Sequence, residues 1–169
     1  MTVLAAPVKR GGLLFPLPTS GGISPAAVDL RNIIQGALSA LAMSLAVRQT
    51  AEAAIAELRR LQQVAAEVNW DGYGALPLDP RSAEQALKFI QALPTTVPAP
   101  DVSADPDGEV DLLWQRDPTR TISVSVGPNG KLTYAALMGT AQTFGTEWLS
   151  NEIPQTILES LARVLHATR

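Results

Sequence analysis

The chain contains no cysteine and a single histidine, His166. Disulfides, thiol nucleophiles and cysteine-held zinc or iron–sulfur sites are therefore excluded, and one chain cannot assemble a multi-histidine metal centre. Aromatic residues make up only 5% of the sequence, so the core is expected to be aliphatic and closely packed. Excess positive charge is also lacking: 13 Lys and Arg stand against 16 Asp and Glu, a formal net charge of −3. That balance disfavours a general grip on a polyanion, and no nucleic-acid partner is expected. There is no G-x-S-x-G elbow, no Walker A loop and no G-x-G-x-x-G turn; Gly72-Tyr73-Gly74 is too short to stand for one. No cofactor is expected.

Charge is missing locally as well. Asn32 to Val47 is an uncharged run of sixteen residues, shorter than the roughly 20 that span a bilayer and interrupted by Asn32, Gln35, Ser39 and Ser44. It is read as a helix without membrane contact. The basic pair Lys9-Arg10 follows the weakly apolar Met1–Ala6 instead of preceding it, the reverse of a secretory signal, and a cytoplasmic location is expected.

What is present suits one core: 46% of 169 residues are hydrophobic. Residues 1–24 hold Gly11-Gly12, Pro16, Pro18 and Gly21-Gly22, breakers dense enough to predict an extended arm. Ser24-Pro25 then opens a long alanine-rich helical segment over 25–68. Ile33, Ala37, Ala40, Ser44, Val47, Ala51, Ala54, Leu58, Leu61, Ala65 and Val68 recur at spacings of four and three, the seam of a paired helix. Ile34, Leu38, Leu41 and Leu45 add a second stripe along the first half only. An unbroken helix of this extent would be roughly 65 Å long at 1.5 Å per residue, too long for the rest of one domain to cover. Either it breaks, near Gly36 or Gln49-Thr50, into a helical hairpin, or it pairs with another chain. Ile33, Ala37, Leu41, Leu45, Val47, Leu58 and Leu61 are accordingly the expected partner-binding positions.

Residues 69–169 predict an α+β domain. Asp79-Pro80 is a cap followed by proline, and Ala83, Leu87, Phe89, Ile90 and Leu93 mark a short helix stopped by Pro94. Pro94 to Pro106 is expected to be a connector. Val110, Leu112 and Trp114, then Ile122, Val124 and Val126, alternate with polar residues as half-buried strands. Gly127-Pro128-Asn129-Gly130 supplies a tight turn into Leu132, Tyr134 and Ala136. The whole is a three- to four-stranded antiparallel meander, closed by a C-terminal helix carrying Ile153, Ile157, Leu161 and Val164, capped by Ser150 or Asn151.

Asn69-Trp70-Asp71-Gly72-Tyr73-Gly74-Ala75 is the densest unusual feature. Its bland explanation is that Trp70 and Tyr73 plug a helix junction while Asp71 accepts backbone N–H groups. Its functional one makes Trp70, Asp71 and Tyr73 a contact surface. An enzymatic alternative, a small hydrolase or transferase, would need Asp71, Tyr73 and Glu147 around one pocket. Trp148 beside Glu147 is otherwise expected to pack on the sheet or the last helix. A DNA-binding antitoxin would need Lys9, Arg10, Arg31, Arg48, Arg59 and Arg60 on one face. Asp101, Asp105, Asp107, Glu109 and Asp111 match a calcium loop poorly, since Pro106 interrupts them and Asp107-Gly108 is a turn, so no metal is assigned.

The heptad at 69–75, with Pro77, Leu93-Pro94, Asp107-Gly108-Glu109, Leu113-Trp114, Gly130, Tyr134, Gly145-Thr146-Glu147 and Ile153-Pro154, resembles a group of small bacterial proteins of unknown function that share an N-W-D-G-Y-G-A signature. The resemblance covers about residues 60–169 and brings no catalytic residue with it. It implies a place beside another small reading frame, as in a toxin–antitoxin pair. The expectation from the residues is a non-enzymatic assembly protein whose partner is a second copy or another protein.

Overall fold

The computed structural model describes residues 25–166, with side chains outside 25–28, 40 and 42–50. The arm expected at 1–24 and the Ser24 cap lie outside the described residues. Residues 1–38 and 39–169 form two compact units.

The helix α1 runs over Pro25–Val64 without the expected break. Gly36 lies inside it with open space around its Cα. In the first unit every described side chain from Asp29 to Ser39 is exposed. The second unit begins well ahead of the boundary expected at residue 69, because the end of α1 belongs to its core. Ala54, Leu58, Leu61 and Ala65 are buried there, at the four-three-four spacing that keeps one helical face inward.

α2 spans Pro80–Ala92. Asp79 caps it as the sequence implies, its carboxylate accepting the Arg81 N–H at 2.7 Å with Pro80 at the first turn. Ser82, Ala83, Ala86, Phe89 and Ile90 form its buried face. Five strands follow: β1 (Asp101–Ala104), β2 (Val110–Asp117), β3 (Arg120–Val126), β4 (Lys131–Met138) and β5 (Ala141–Trp148). They make one antiparallel sheet in the order β1-β2-β3-β4-β5, so the meander has more strands than the expected three or four. β1 lies inside the stretch expected to be a proline-rich connector. α3 (Gln155–His166) closes the chain. Its first turn is held by the Pro154 carbonyl, which accepts the N–H groups of Ile157 and Leu158 at 3.0 and 3.2 Å, so the start falls beyond Ser150 and Asn151.

Strand alternation sorts the sheet into two faces. Val110, Leu112 and Trp114, Ile122, Val124 and Val126, and Leu132, Tyr134 and Ala136 all point inward. α2 contacts β2 and β3, and α3 contacts β2, β3 and β4. The core is thus one layer of helices on one sheet face, with Phe89 and Trp114 in tilted contact at a ring separation of 6.3 Å. The Trp114 indole N–H is satisfied by the Pro98 carbonyl at 2.8 Å, as a buried indole requires. The other sheet face, bearing Thr121, Ser123, Thr133, Ala135 and Phe144, has no described element packed on it.

Candidate functional site

The loop at 69–75 is a closed hydrogen-bonded ring. The Asn69 N–H donates to the Ala75 carbonyl at 2.7 Å, and the Gly72 N–H donates to the Asn69 carbonyl at 3.0 Å. The Asn69 side chain accepts the Gly74 N–H at 2.7 Å. Asp71 accepts the N–H groups of Tyr73 and Ala75 at 2.8 and 3.1 Å. Asn69, Gly72 and Gly74 all have positive φ, the left-handed backbone that asparagine and glycine tolerate best. The two backbone donors, Tyr73 first and then Ala75, hold the Asp71 carboxyl below its ordinary pKa.

Trp70 behaves as the structural reading has it. Its indole N–H donates to the Leu76 carbonyl at 2.9 Å, and its ring packs against the core. Tyr73 does not plug the junction. It is 95% exposed, held outward by a loop whose polar groups are used internally. Val64, Val68 and Leu76, on the approaches to the loop, are exposed apolar side chains as well.

The seam along α1 divides. Ile33 is 68% exposed, and Leu30, Ile34, Ala37, Leu38 and Leu41 are also exposed. Leu58, at 2%, and Leu61 are buried in the core of their own chain, which withdraws these two from the expected partner-binding set. The side chains of Leu45 and Val47 lie outside the described residues.

Asp71, Tyr73 and Glu147 do not meet in a pocket. Glu147 accepts the Thr156 hydroxyl at 2.8 Å, joining β5 to α3, whereas Asp71 is spent on its own loop. Of five concavities on the described surface, none is lined by any of the three. The cationic reading is thinned too, because the Arg60 guanidinium is paired with Glu57 at 2.6 Å. Among the described residues no group of three or more acidic or histidine side chains is placed to hold a metal. Asp105 is instead pushed above its ordinary pKa, first by burial and then by the charges of Asp107 and Asp111.

Two apolar residues escape the sequence reading. Phe144 is 80% and Trp148 61% exposed, both on the open sheet face, so Trp148 packs on neither the inner face nor α3. Thr143, Gly145 and Glu147 occupy the inward positions of β5, opposite Ala136, Tyr134 and Leu132. A Cβ on Gly145 would lie 2.8 Å from the Tyr134 hydroxyl; the tyrosine ring fills the place of a side chain. Phe144 borders a shallow concavity of about 450 Å³ with Thr121, Ser123, Ala135 and Leu137. Among the described residues no helix is long and apolar enough to cross a membrane. No protein-family model, curated protein or solved structure matches this chain.

Proposed function

We propose that this chain is a non-enzymatic assembly protein that works in the cytoplasm and associates through the exposed apolar positions of α1, with a second copy or another protein as partner. The observation that carries this reading is the exposure of Leu30, Ile33, Ile34 and Leu38 on one helix, followed by a run without charge to Val47. Apolar surface is stabilised by roughly 25 cal/mol per Å² when removed from water, so a stripe several turns long favours a cover. The Tyr73 loop is the second contact. A tyrosine held outward by an internally satisfied loop offers a large amphipathic surface with little ordering left to do on binding. The resemblance of residues 60–169 to the N-W-D-G-Y-G-A proteins adds that the partner is the product of a neighbouring small reading frame, with this chain as the regulatory, antitoxin-like member.

Light scattering coupled to size-exclusion chromatography tests the helix surface. The full chain is expected to elute as an oligomer, and Ile33→Ser with Leu38→Ser to return it to a monomer. A full chain that is strictly monomeric and binds no apolar dye would overturn the reading.

A further inference from the structure

The sheet has two edges, and they are built differently. β1 is four residues long, preceded by Pro98 and Pro100 and opened by Asp101. Shortness, proline and charge are the devices that stop an edge from recruiting another strand. β5 is eight residues long, contains no proline or lysine, and has only one charge, Glu147. That charge faces inward and is bonded to Thr156. On one side β5 pairs with β4, and on the other no described strand pairs with it. Its outer face carries Phe144 and Trp148.

We propose that β5 is a homotypic docking edge: two copies pair their β5 strands antiparallel about a two-fold axis centred on Thr146, joining two sheets into one. Symmetry and the alternation of faces restrict the register. In an antiparallel pair, directly opposed residues point to the same face, so a two-fold axis between identical strands must pass through a residue and never between two. Centring on Glu147 would set two like charges opposite each other, which is unfavourable. Centring on Gly145 would place Trp148 against Gln142 and Phe144 against Thr146, leaving both aromatics without aromatic neighbours. Centring on Thr146 opposes Phe144 of each copy to Trp148 of the other, twice, and sets Glu147 against Gly145. Centring on Phe144 makes one aromatic pair and leaves Trp148 outside the ladder. The Thr146 register alone pairs both exposed aromatics and separates the carboxylates. This edge is independent of the α1 surface.

The contact is small, and a thiol trap reads it where elution volume would not. Because the chain has no cysteine, Thr146→Cys introduces a lone thiol. Opposed Cα atoms in an antiparallel pair are about 4.5–5.5 Å apart, within the span of a disulfide. Mild oxidation of full-length Thr146→Cys is expected to give a covalent dimer at least about tenfold faster than Thr133→Cys, which lies on the same face one strand inward, because pairing raises the local thiol concentration. Adding Phe144→Lys and Trp148→Lys should abolish that advantage. The measurement is repeated with Ile33→Ser and Leu38→Ser present, so that association through α1 can neither produce nor mask the result. Equal rates for the two cysteine positions, or an advantage that survives the lysines, would overturn pairing through β5 with a second copy and leave the edge to an extended segment of another protein.

Discussion

The two ends of α1 share a spacing and differ in fate. Ile33, Ala37 and Leu41 follow the same four-residue rhythm that continues through Ala54, Leu58, Leu61 and Ala65, yet the first set is exposed and the second is buried. The periodicity establishes that a helix has an apolar face, and what the rest of the chain supplies decides whether that face is covered. Ile55, Leu58 and Arg59 lie beside Pro80, Ala83 and Leu87 of α2. Ala53, Ala54 and Glu57 lie beside Pro100 and Val102 at β1. Nothing equivalent is described around Leu30 to Leu38.

The largest effect should come from the packed end. Leu58→Ala is expected to lower unfolding free energy by about 2–5 kcal/mol, the usual cost of a truncated core leucine; a urea midpoint indistinguishable from the parent would erase the distinction between the two ends. Gly108→Ala asks what fastens that end. The Gly108 carbonyl accepts the Asp79 N–H at 3.0 Å, its φ is +89°, and a Cβ would lie 2.7 Å from the Pro77 carbonyl oxygen. A loss of about 1–3 kcal/mol is expected from the strained backbone alone, with melting temperature as the readout.

Acid titration of stability sharpens the comparison further, since the Asp71 loop directly follows the packed end. The lowered pKa of Asp71 means its contribution is present above the ordinary carboxylate value of about 4 and lost as pH falls through the folded value. Asp71→Asn should flatten that acid limb in urea midpoints. Asp105 has the opposite sign: its raised pKa means stability is complete below the ordinary value and declines as pH rises through the folded one. Asp105→Asn should therefore stabilise the protein at neutral pH. The smallest effect belongs to the exposed end. Ile33→Ser with Leu38→Ser should leave the unfolding free energy within about 0.5 kcal/mol of the parent at dilutions where both are monomeric, and a larger loss would mean those side chains already have a cover.

Much of the fold was legible because local chemistry and burial agree. Asp79-Pro80 states a helix start, and Val110 to Trp114, Ile122 to Val126 and Leu132 to Ala136 place every apolar residue on the core side. β1 was hidden by its surroundings, a short strand between prolines with no apolar run of its own. β5 was hidden by inversion. Its inward residues are Thr143, Gly145 and Glu147, while its aromatic residues face out, so the alternation points the wrong way. Gly139, with positive φ between β4 and β5, was the available turn signal. At the candidate site, the roles of Trp70 and Asp71 follow from their hydrogen-bonding groups. The outward display of Tyr73 does not, because it depends on the whole ring of bonds from Asn69 to Ala75.

The three tryptophans stand in three different solvents: Trp114 in the buried core, Trp70 half-covered on its loop, and Trp148 in water on the outer strand. Each indole is therefore a separate optical reporter. Iodide should quench Trp148 first and Trp114 last, and variants retaining one tryptophan apiece would let emission wavelength follow the edge, the loop and the interior separately during assembly.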